Sequence, residues 1–227
     1  MKHIVVLTGA GISAESGLKT FRDANGLWEG HNVMSVASPE GFEANPDLVL
    51  DFYNQRRRQL LQVQPNAAHR ELATLEKDYK VTIITQNVDD LHERAGSKNV
   101  IHLHGELLKA RSINNEKDIV SWTKDLIIGD YNTAGEQLRP HIVWFGEAVP
   151  MIDSAMTICQ SATDLIIIGT SMQVYPAAGL MHYIPDGTPI YFIDPNPNIK
   201  NSKYLTVIEK PATLGVKEAI EMIKTTP

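Results

Sequence analysis

The chain has 227 residues, enough to bury one good core, or one large domain with a small satellite. Its composition, 43% hydrophobic and 21% charged with a formal net charge of −6, is that of an ordinary globular protein. An acidic chain whose only basic block is residues 56–58 is a poor ligand for nucleic acid, so we predict no such partner. No apolar run approaches a membrane span or a signal peptide, which predicts a cytoplasmic protein with no membrane partner.

Cys159 is the only cysteine in the sequence. One thiol can form neither a disulfide framework nor a thiolate metal cluster within one chain. A structural zinc site normally takes four Cys or His ligands, and no such group occurs at motif spacing. The sequence therefore predicts no metal site and no bound zinc.

Short apolar, β-branched runs alternate with amphipathic helical patterns along the chain. The predicted strands are HIVVLTG (3–9), KVTIIT (80–85), NVIHLH (99–104), DLIIIG (164–169) and PIYFID (189–194). The predicted helices include AAHRELATLEKDY (67–79), MIDSAMTICQSA (151–162) and LGVKEAIEMIKT (214–225). This alternation predicts an α/β fold with a mostly parallel, doubly wound sheet.

Two segments fit the alternation poorly. Residues 24–62 are rich in turns and then helical, and residues 107–140 contain the polar text KARSINNEKD. We predict that these two insertions pack together as a small lid domain. The large, Rossmann-like part would then consist of approximately residues 1–23, 63–106 and 141–227.

Small and polar residues follow the first predicted strand. Gly9 and Gly11 would let the backbone approach a diphosphate, whose charge the following N–H groups could face. The motif is not a complete GxGxxG, because Ala14 stands three residues after Gly11. A purely structural turn therefore remains an open interpretation.

The other predicted strands also end in polar residues, and ligands of such sheets bind at the carboxyl ends of the strands. Gln86, Asn87 and Asp89 follow the second strand, and helix capping would explain only one of them. His104 stands at the exit of the third strand, where a histidine is well placed for acid–base chemistry. Asp194 ends the fifth strand and could accept hydrogen bonds from ribose hydroxyls.

The stretch NPDLVLDFYNQRRRQLLQV (45–63) predicts an amphipathic helix with an arginine on its apolar face. A guanidinium that faces an apolar interior requires an anion. That anion could be Asp23 or Glu43 in an internal ion pair, or it could belong to a substrate. Arg57 and Arg58 lie off the stripe, so we predict that both are solvated. The stripe consists of Val49, Phe52, Tyr53, Arg56, Leu60 and Val63.

Taken in order, GAGISAESGLKTFR with GLW, TQNVDDLH, HLHGEL, IVWFGE (142–147) and GTSMQVYPAA resemble the sirtuins, which are NAD-dependent protein lysine deacylases. The match runs from about residue 5 to residue 212. The resemblance implies a cleft between the two domains that takes NAD and the acylated lysine side chain of a protein. It also implies the products: free lysine, nicotinamide and 2′-O-acyl-ADP-ribose.

The resemblance assigns roles to matching positions. His104 would be the general base, with Asn87 beside it, and Val143, Trp144, Phe145 and Gly146 would bind the acyl-lysine and pair with the peptide backbone. The implied NAD-binding residues are Gly9, Ala10, Gly11, Ser13, Ala14, Phe21, Arg22, Trp28, Gln86, Asn87, Asp89, Gly169, Thr170, Ser171, Asp194, Pro195, Asn196 and Ala212.

The spacing of Tyr53 and Arg56 resembles that of sirtuins which prefer acidic acyl groups. In this interpretation both side chains bind the distal carboxylate of succinyl-lysine or malonyl-lysine. Ala14 would leave room at the end of the tunnel.

The sequence departs from the family pattern in two places. No cysteine occurs between residues 107 and 140, where sirtuins usually carry two Cys-x-x-Cys pairs that bind a structural zinc. Asp194 stands where the family often has Asn. Two other functions stay open: a sirtuin-like protein ADP-ribosyltransferase, and a module that binds NAD or ADP-ribose without turnover. A dehydrogenase that transfers hydride is a more distant alternative.

Overall fold

The computed structural model describes residues 2–19 and 27–225. Its strands, in chain order, are β1 (His3–Thr8), β2 (Leu27–Trp28), β3 (His31–Asn32), β4 (Lys80–Thr85), β5 (Val100–His102), β6 (Gly105–Ser112), β7 (Ile119–Ser121), β8 (Leu138–Ile142), β9 (Asp164–Ile168), β10 (Ile190–Ile193) and β11 (Leu205–Ile208). Its α-helices are α1 (Gly11–Ala14), α2 (Val33–Val36), α3 (Pro39–Ala44), α4 (Pro46–Leu60), α5 (Ala67–Leu75), α6 (Leu91–Ala95), α7 (Ile152–Cys159) and α8 (Ala212–Thr225), and a 3-10 helix spans Ala177–Tyr183.

Six strands form one parallel sheet in the order β11-β10-β9-β1-β4-β5. The predicted α/β class and all five predicted strands are confirmed. The strand β11 was not predicted, because its run of four residues is short and polar residues flank it. In the centre of the sheet Thr8 lies opposite both Thr85 and Ile168. The loops that follow β1, β4 and β9 therefore leave the sheet at the same edge.

Apolar side chains cover both faces of this sheet. Helices α5 and α8 bury one face, with Leu72 and Val216 fully buried against the strands. Helix α7 and the 3-10 helix bury the other face, where Cys159 and Leu180 pack against β9 and β10. Because both faces are covered, the central strands read as continuous apolar runs, which explains why the sequence predicted them.

The second predicted insertion contains a sheet that the sequence did not predict. Strands β7, β6 and β8 form an antiparallel sheet in that order. The sequence does not show the apolar–polar pattern of a strand here, because two of the buried positions are arginines: Arg111 and Arg139 are 5% and 7% exposed. Helices α2 to α4 of the first insertion pack beside this sheet, and their shared apolar cluster includes Phe52, Leu107 and Trp144.

The prediction that Arg57 is solvated was wrong. Its side chain is fully buried, Nε donates to the carbonyl oxygen of Leu107 at 3.1 Å, and Nη1 donates to Oδ1 of Asn54 at 2.6 Å. Arg57 follows Tyr53 by one helical turn and faces β6, because α4 is covered on two sides rather than one. Arg58 is exposed as predicted and forms an ion pair with Asp125 at 2.5 Å.

Within the described residues, no helix is both long enough and apolar enough to span a membrane.

Candidate active site

A cavity of about 330 Å³ lies at the carboxyl edge of the parallel sheet. Its wall includes the loops after β1, β4 and β9 on one side, and α4 with the loop after β8 on the other. The structure brings most of the predicted site residues together here. Those that line the cavity are Gly9, Ala10, Gly11, Ser13, Trp28, Tyr53, Arg56, Gln86, Asn87, Asp89, His104, Val143, Trp144, Phe145, Gly146, Gly169, Thr170 and Ser171.

The remaining predicted residues lie elsewhere. Phe21 and Arg22 lie outside the described residues, as does Asp23. Ala14 borders a separate shallow depression beside Lys19 rather than the main cavity. A last group, at the ends of β10 and β11, does not line the cavity: Asp194, Pro195, Asn196 and Ala212.

Gly9 and Gly11 are required by the contact between two loops. A Cβ on Gly11 would lie 2.5 Å from the Cα of Gly169, and one on Gly9 would lie 2.7 Å from the Cβ of Thr170. The N–H of Gly11 donates to the carbonyl oxygen of Gly169 at 2.9 Å. The contact between the two loops is therefore enough to explain why both positions are glycine. The N–H of Gly11 already has an acceptor.

Ser13, Asn87 and Asp89 form a buried polar cluster on the cavity wall. The hydroxyl of Ser13 donates to Oδ2 of Asp89 at 2.9 Å, and Nδ2 of Asn87 donates to the carbonyl oxygen of Gly9 at 3.1 Å. The N–H of Leu91 donates to Oδ1 of Asp89 at 3.2 Å. Burial raises the pKa of Asp89 to about 6 against these bonds. The carboxylate is therefore a preorganised acceptor that is still ionised at neutral pH.

His104 is held in one tautomer. Its Nδ1 lies 3.0 Å from the carbonyl oxygen of Gln86, which can only accept, so Nδ1 carries the proton. Burial lowers the pKa of His104, so the ring is neutral at pH 7. Its Nε2 then has a free lone pair on a side chain that lines the cavity. This arrangement suits a general base.

His102 also places its Nδ1 beside a backbone carbonyl oxygen, but its Nε2 and its charge differ from those of His104. Its Nδ1 lies 3.0 Å from the carbonyl oxygen of Asn87, and its Nε2 lies 2.7 Å from Oε1 of Glu93. Burial alone would lower the pKa of His102, but the bond to Glu93 and its charge raise it. Both ring nitrogens therefore donate, and His102 supports the loop that carries Asn87.

Tyr53 and Arg56 meet on the wall formed by α4. The hydroxyl of Tyr53 accepts the indole N–H of Trp144 at 3.0 Å. The guanidinium of Arg56 stacks on Phe52, 3.3 Å from the ring centroid, and donates to the carbonyl oxygen of Phe52 at 2.7 Å. Burial lowers the pKa of Arg56 to about 10, so it stays charged at neutral pH. Among the described residues no carboxylate forms an ion pair with it, and Glu43 is not its partner.

Sequence reasoning missed Glu147, which also lines the cavity. Its carboxylate binds Arg111, Arg139 and the backbone of Trp144. The available signal was its place at the end of IVWFGE, directly after the predicted tunnel residues. The apolar lining was missed as well, and it includes Leu60, Val88, Leu107, Ile142, Val149 and Val174.

Comparison with known proteins places this site in a family. The Sir2 family model matches residues 9–176. An NAD-dependent protein deacylase of Helicobacter pylori strain 26695 is 62% identical over 195 residues, which cover 86% of this chain and 85% of the relative. An NAD-dependent protein deacylase of Bacteroides thetaiotaomicron is 51% identical over 234 residues and covers 100% of both chains.

Solved structures agree with the sequence match. A crystal structure of a Sir2 homologue in complex with NAD has a TM-score of 0.87 at 37% identity, covering 98% of this chain and 90% of that one. A Sir2 protein bound to an acetylated peptide has a TM-score of 0.78 at 27% identity, with coverage of 98% and 94%. Fold and site thus define an α/β protein with a ligand cavity at the carboxyl edge of its sheet. The chain belongs to the Sir2 family, as its motifs predicted.

Proposed function

We propose that the protein removes acyl groups from lysine side chains of proteins, with NAD as co-substrate, and that it prefers acidic acyl groups. The observation that carries the reaction is the arrangement of His104. A neutral imidazole with a fixed tautomer shares one cavity with the buried acceptor Asp89 and with the aromatic wall of Trp144. The names of the relatives support the same reaction class.

The residues present fit NAD. Asp89 is a hydrogen-bond acceptor that is only 6% exposed, and Asn87 lies beside it on the same cavity wall. An amide such as that of nicotinamide carries the N–H donors that a buried carboxylate requires. When bound, NAD supplies a ribose whose bond to nicotinamide breaks and which takes up the acyl group. Asn87, Asp89 and Gln86 would hold its nicotinamide end, and Thr170 and Ser171 would lie toward the adenosine end.

Side chains of this protein would orient the acyl-lysine substrate and take up one proton. Trp144 and Val143 form a wall that would orient an acyl-lysine chain and exclude water. Orientation of this kind supplies much of the rate when the nucleophile, here the amide oxygen of the acyl-lysine, is weak. Nε2 of His104 would accept a proton from a hydroxyl of the bound ribose. The carbonyl oxygen of Gln86 holds Nδ1–H throughout, so the ring does not turn while it takes up that proton.

The acyl preference rests on Tyr53 and Arg56. Among the described residues Arg56 forms no ion pair, although the more distant charge of Glu29 favours its ionised form, and a guanidinium that lines the cavity in this way favours an anion from a ligand. Nearby, Arg111 and Arg139 share the single carboxylate of Glu147, which leaves that cluster with a formal charge of +1. A succinyl or malonyl carboxylate would find two positive groups and the hydroxyl of Tyr53.

We also propose that the two insertions act as a lid domain without zinc. In place of the first expected cysteine pair, the hydroxyl of Ser112 donates to Oε2 of Glu136 at 2.5 Å. Nδ2 of Asn132 donates to Oδ2 of Asp118 at 2.6 Å, and Nδ2 of Asn114 donates to Oε1 of Glu136 at 3.3 Å. We call these five residues the polar clasp. No group of three or more potential metal ligands occurs in the part of the chain that the structure describes.

The test is a comparison of succinyl-lysine and acetyl-lysine peptides with NAD. Arg56→Met should lower kcat/KM for the succinyl peptide by about ten- to a hundred-fold, because a charge-assisted bond to a desolvated carboxylate is lost. Activity on the acetyl peptide should be kept or should rise. The matched control is Arg58→Met, which removes a neighbouring arginine that does not line the cavity.

Three results would contradict parts of this proposal. A wild-type preference for acetyl-lysine, or equal damage to both substrates in Arg56→Met, would rule out the acidic acyl preference. Transfer of label from NAD to protein without acyl loss would identify an ADP-ribosyltransferase. Binding of NAD with neither reaction would identify a binding module.

A further inference from the structure

The carboxylate of Glu147 is the meeting point of four donors. Its Oε1 accepts from Nη2 of Arg111 at 3.0 Å and from Nη1 of Arg139 at 2.7 Å. Its Oε2 accepts from Nη2 of Arg139 at 3.1 Å and from the N–H of Trp144 at 2.8 Å. Burial alone would raise the pKa of Glu147, but the bonds from Arg139 and Trp144 hold it below its usual value. The group is therefore ionised at neutral pH.

Glu147 also forms ion pairs with two buried cations. Within residues 2–19 and 27–225 it is the only carboxylate in ion-pair contact with Arg111 or Arg139. Those arginines lie on β6 and β8, so Glu147 connects the three-stranded sheet to the cavity wall. Removal of one member of such a cluster leaves buried charge without compensation.

Trp144 is constrained at three points by this cluster and its neighbours. Its N–H is held by Glu147, and Cζ of Arg139 lies 3.3 Å from the centroid of its ring. Its indole Nε1 donates to the hydroxyl oxygen of Tyr53 at 3.0 Å. The three contacts fix the backbone, the ring plane and the direction of the indole N–H. The side chain of Trp144 therefore has a single position on the cavity wall.

The position of Trp144 in turn sets the direction of the hydroxyl proton of Tyr53. Since the Tyr53 oxygen accepts the indole N–H, its own proton is directed away from Trp144. Within the described part of the chain that proton has no acceptor, so it is available to a ligand in the cavity that both residues line. A shift of Trp144 would remove this preorganisation.

We infer that Glu147 is a positioning residue for the acyl pocket: through Trp144 it orients the hydroxyl of Tyr53, and it thereby sets how tightly the acyl group is held. The inference rests on the proposed deacylase function. Glu147 does not contact Asn87 or Asp89, where the nicotinamide end of NAD is proposed to bind. Its loss should therefore act on the acyl substrate and leave the binding of NAD unchanged.

Glu147→Gln tests the inference, because the amide keeps the shape but replaces one acceptor oxygen with a donor. With succinyl peptide as the varied substrate, KM should rise by about tenfold, the usual consequence of losing a hydrogen bond to a charged group. The extra positive charge left on Arg111 and Arg139 would by itself lower this KM, so a rise reports the displacement of Trp144 and Tyr53. The KM for NAD should stay within about twofold of wild type. In nuclear magnetic resonance spectra the indole N–H resonance of Trp144, assigned with Trp144→Phe, should shift.

Glu136→Gln is the matched control. This carboxylate binds Ser112 at the end of β6 and Asn132 in the loop before β8, but it does not line the cavity. Glu136→Gln should leave both KM values and the Trp144 resonance unchanged. It therefore separates loosening of the small sheet from displacement of Trp144.

The outcomes are distinct. If wild-type protein removes no acyl group, the proposed function fails. If wild type is active and Glu147→Gln leaves the peptide KM unchanged, raises both KM values equally or does not move the Trp144 resonance, the positioning role is overturned. The same conclusion follows if Glu136→Gln reproduces the selective rise.

Discussion

Strand β1 of the parallel sheet buries all six of its side chains, whereas β6 of the antiparallel sheet has five buried and three half-buried residues. The large sheet lies between two apolar clusters. The small sheet and α4 instead bury three arginines: Arg57 donates to Leu107, and Arg111 and Arg139 bind Glu147, while Nη2 of Arg57 and Nε of Arg139 have no partner among the described residues.

This difference has a physical consequence. Apolar burial is tolerant of small shifts because it depends on area, whereas a buried guanidinium requires acceptors at defined distances. The large sheet therefore provides a stable edge from which His104 and Asp89 project. The small sheet, with its polar network, supports Tyr53, Trp144 and Arg56, so the proposed acyl selectivity would depend on the region that is held by specific contacts.

The largest expected effect concerns the edge of the large sheet. His104→Ala should lower acyl removal by about 10²–10⁴-fold, the usual contribution of a general base. The melting temperature should change little, because the side chain makes one hydrogen bond, to Gln86. Steady-state kinetics and thermal unfolding measure the two quantities.

The control for this variant is His182→Ala. His182 is exposed on the 3-10 helix and does not line the cavity. Turnover of His104→Ala within a few-fold of wild type would remove His104 from the role of base.

The next effect compares two adjacent arginines of α4. Arg57→Ala should lower the free energy of unfolding by about 2–5 kcal/mol, because it empties a buried volume and leaves the carbonyl of Leu107 without its donor. Arg58→Ala should cost less than about 1 kcal/mol, since its ion pair with Asp125 is exposed. Urea denaturation of both variants measures the difference. Equal costs would show that burial does not distinguish the two positions.

A third prediction concerns the buried carboxylate of Asp89. Its pKa of about 6 lies above the unfolded value of about 3.9, so the protonated form is favoured in the folded state. The stability that this proton contributes is complete below pH 4 and is lost as the pH rises through 6. Asp89→Asn, which is neutral at every pH, should therefore exceed wild type in stability by roughly 2–3 kcal/mol at pH 8, with little difference at pH 4.

The same variant should bind NAD more weakly, because an amide cannot replace the acceptor charge. Asp90→Asn is its control, since Asp90 pairs with Arg94 and does not line the cavity. A constant stability difference between Asp89→Asn and wild type from pH 4 to 8 would mean that Asp89 is not the titrating group.

The smallest effect concerns the polar clasp. Ser112→Ala removes the bond to Glu136 and the acceptor for the N–H of Asn114, so it should lower the free energy of unfolding only slightly. Amide hydrogen exchange should accelerate in β6, β7 and β8 and stay unchanged in β1 and β4. Ser161→Ala, next to the large sheet, is the control. Faster exchange in β1 would show that the two sheets open together.

Several elements of the fold followed directly from local sequence. The strands β1, β4 and β9 were predicted because each carries a continuous apolar run, and α5, α7 and α8 were predicted from helical periodicity. The sheet β6–β8 was not predicted, because Arg111 and Arg139 read as solvent-facing residues. Both arginines bind Glu147, which lies 36 residues along the chain from Arg111, so the local sequence does not indicate that they are buried.

The site shows the same division. Gln86, Asn87 and His104 could be predicted because each follows a strand, and parallel strands end at one edge of the sheet. The two glycines were predicted for a diphosphate, but Gly169 and Thr170 pack against them. That contact joins loops about 160 residues apart, and no local pattern encodes it.

The sequence by itself determined the α/β class, the order of the ligand-binding loops and the Sir2 motifs, because these depend on periodicity and on residues close together in the chain. The tertiary structure alone decided which arginine of residues 56–58 is buried, which tautomer His104 adopts, and that the indole N–H of Trp144 donates to Tyr53. Each of these depends on a hydrogen-bond acceptor that comes from another part of the chain, and such an acceptor acquires its distance and direction only when the chain has folded.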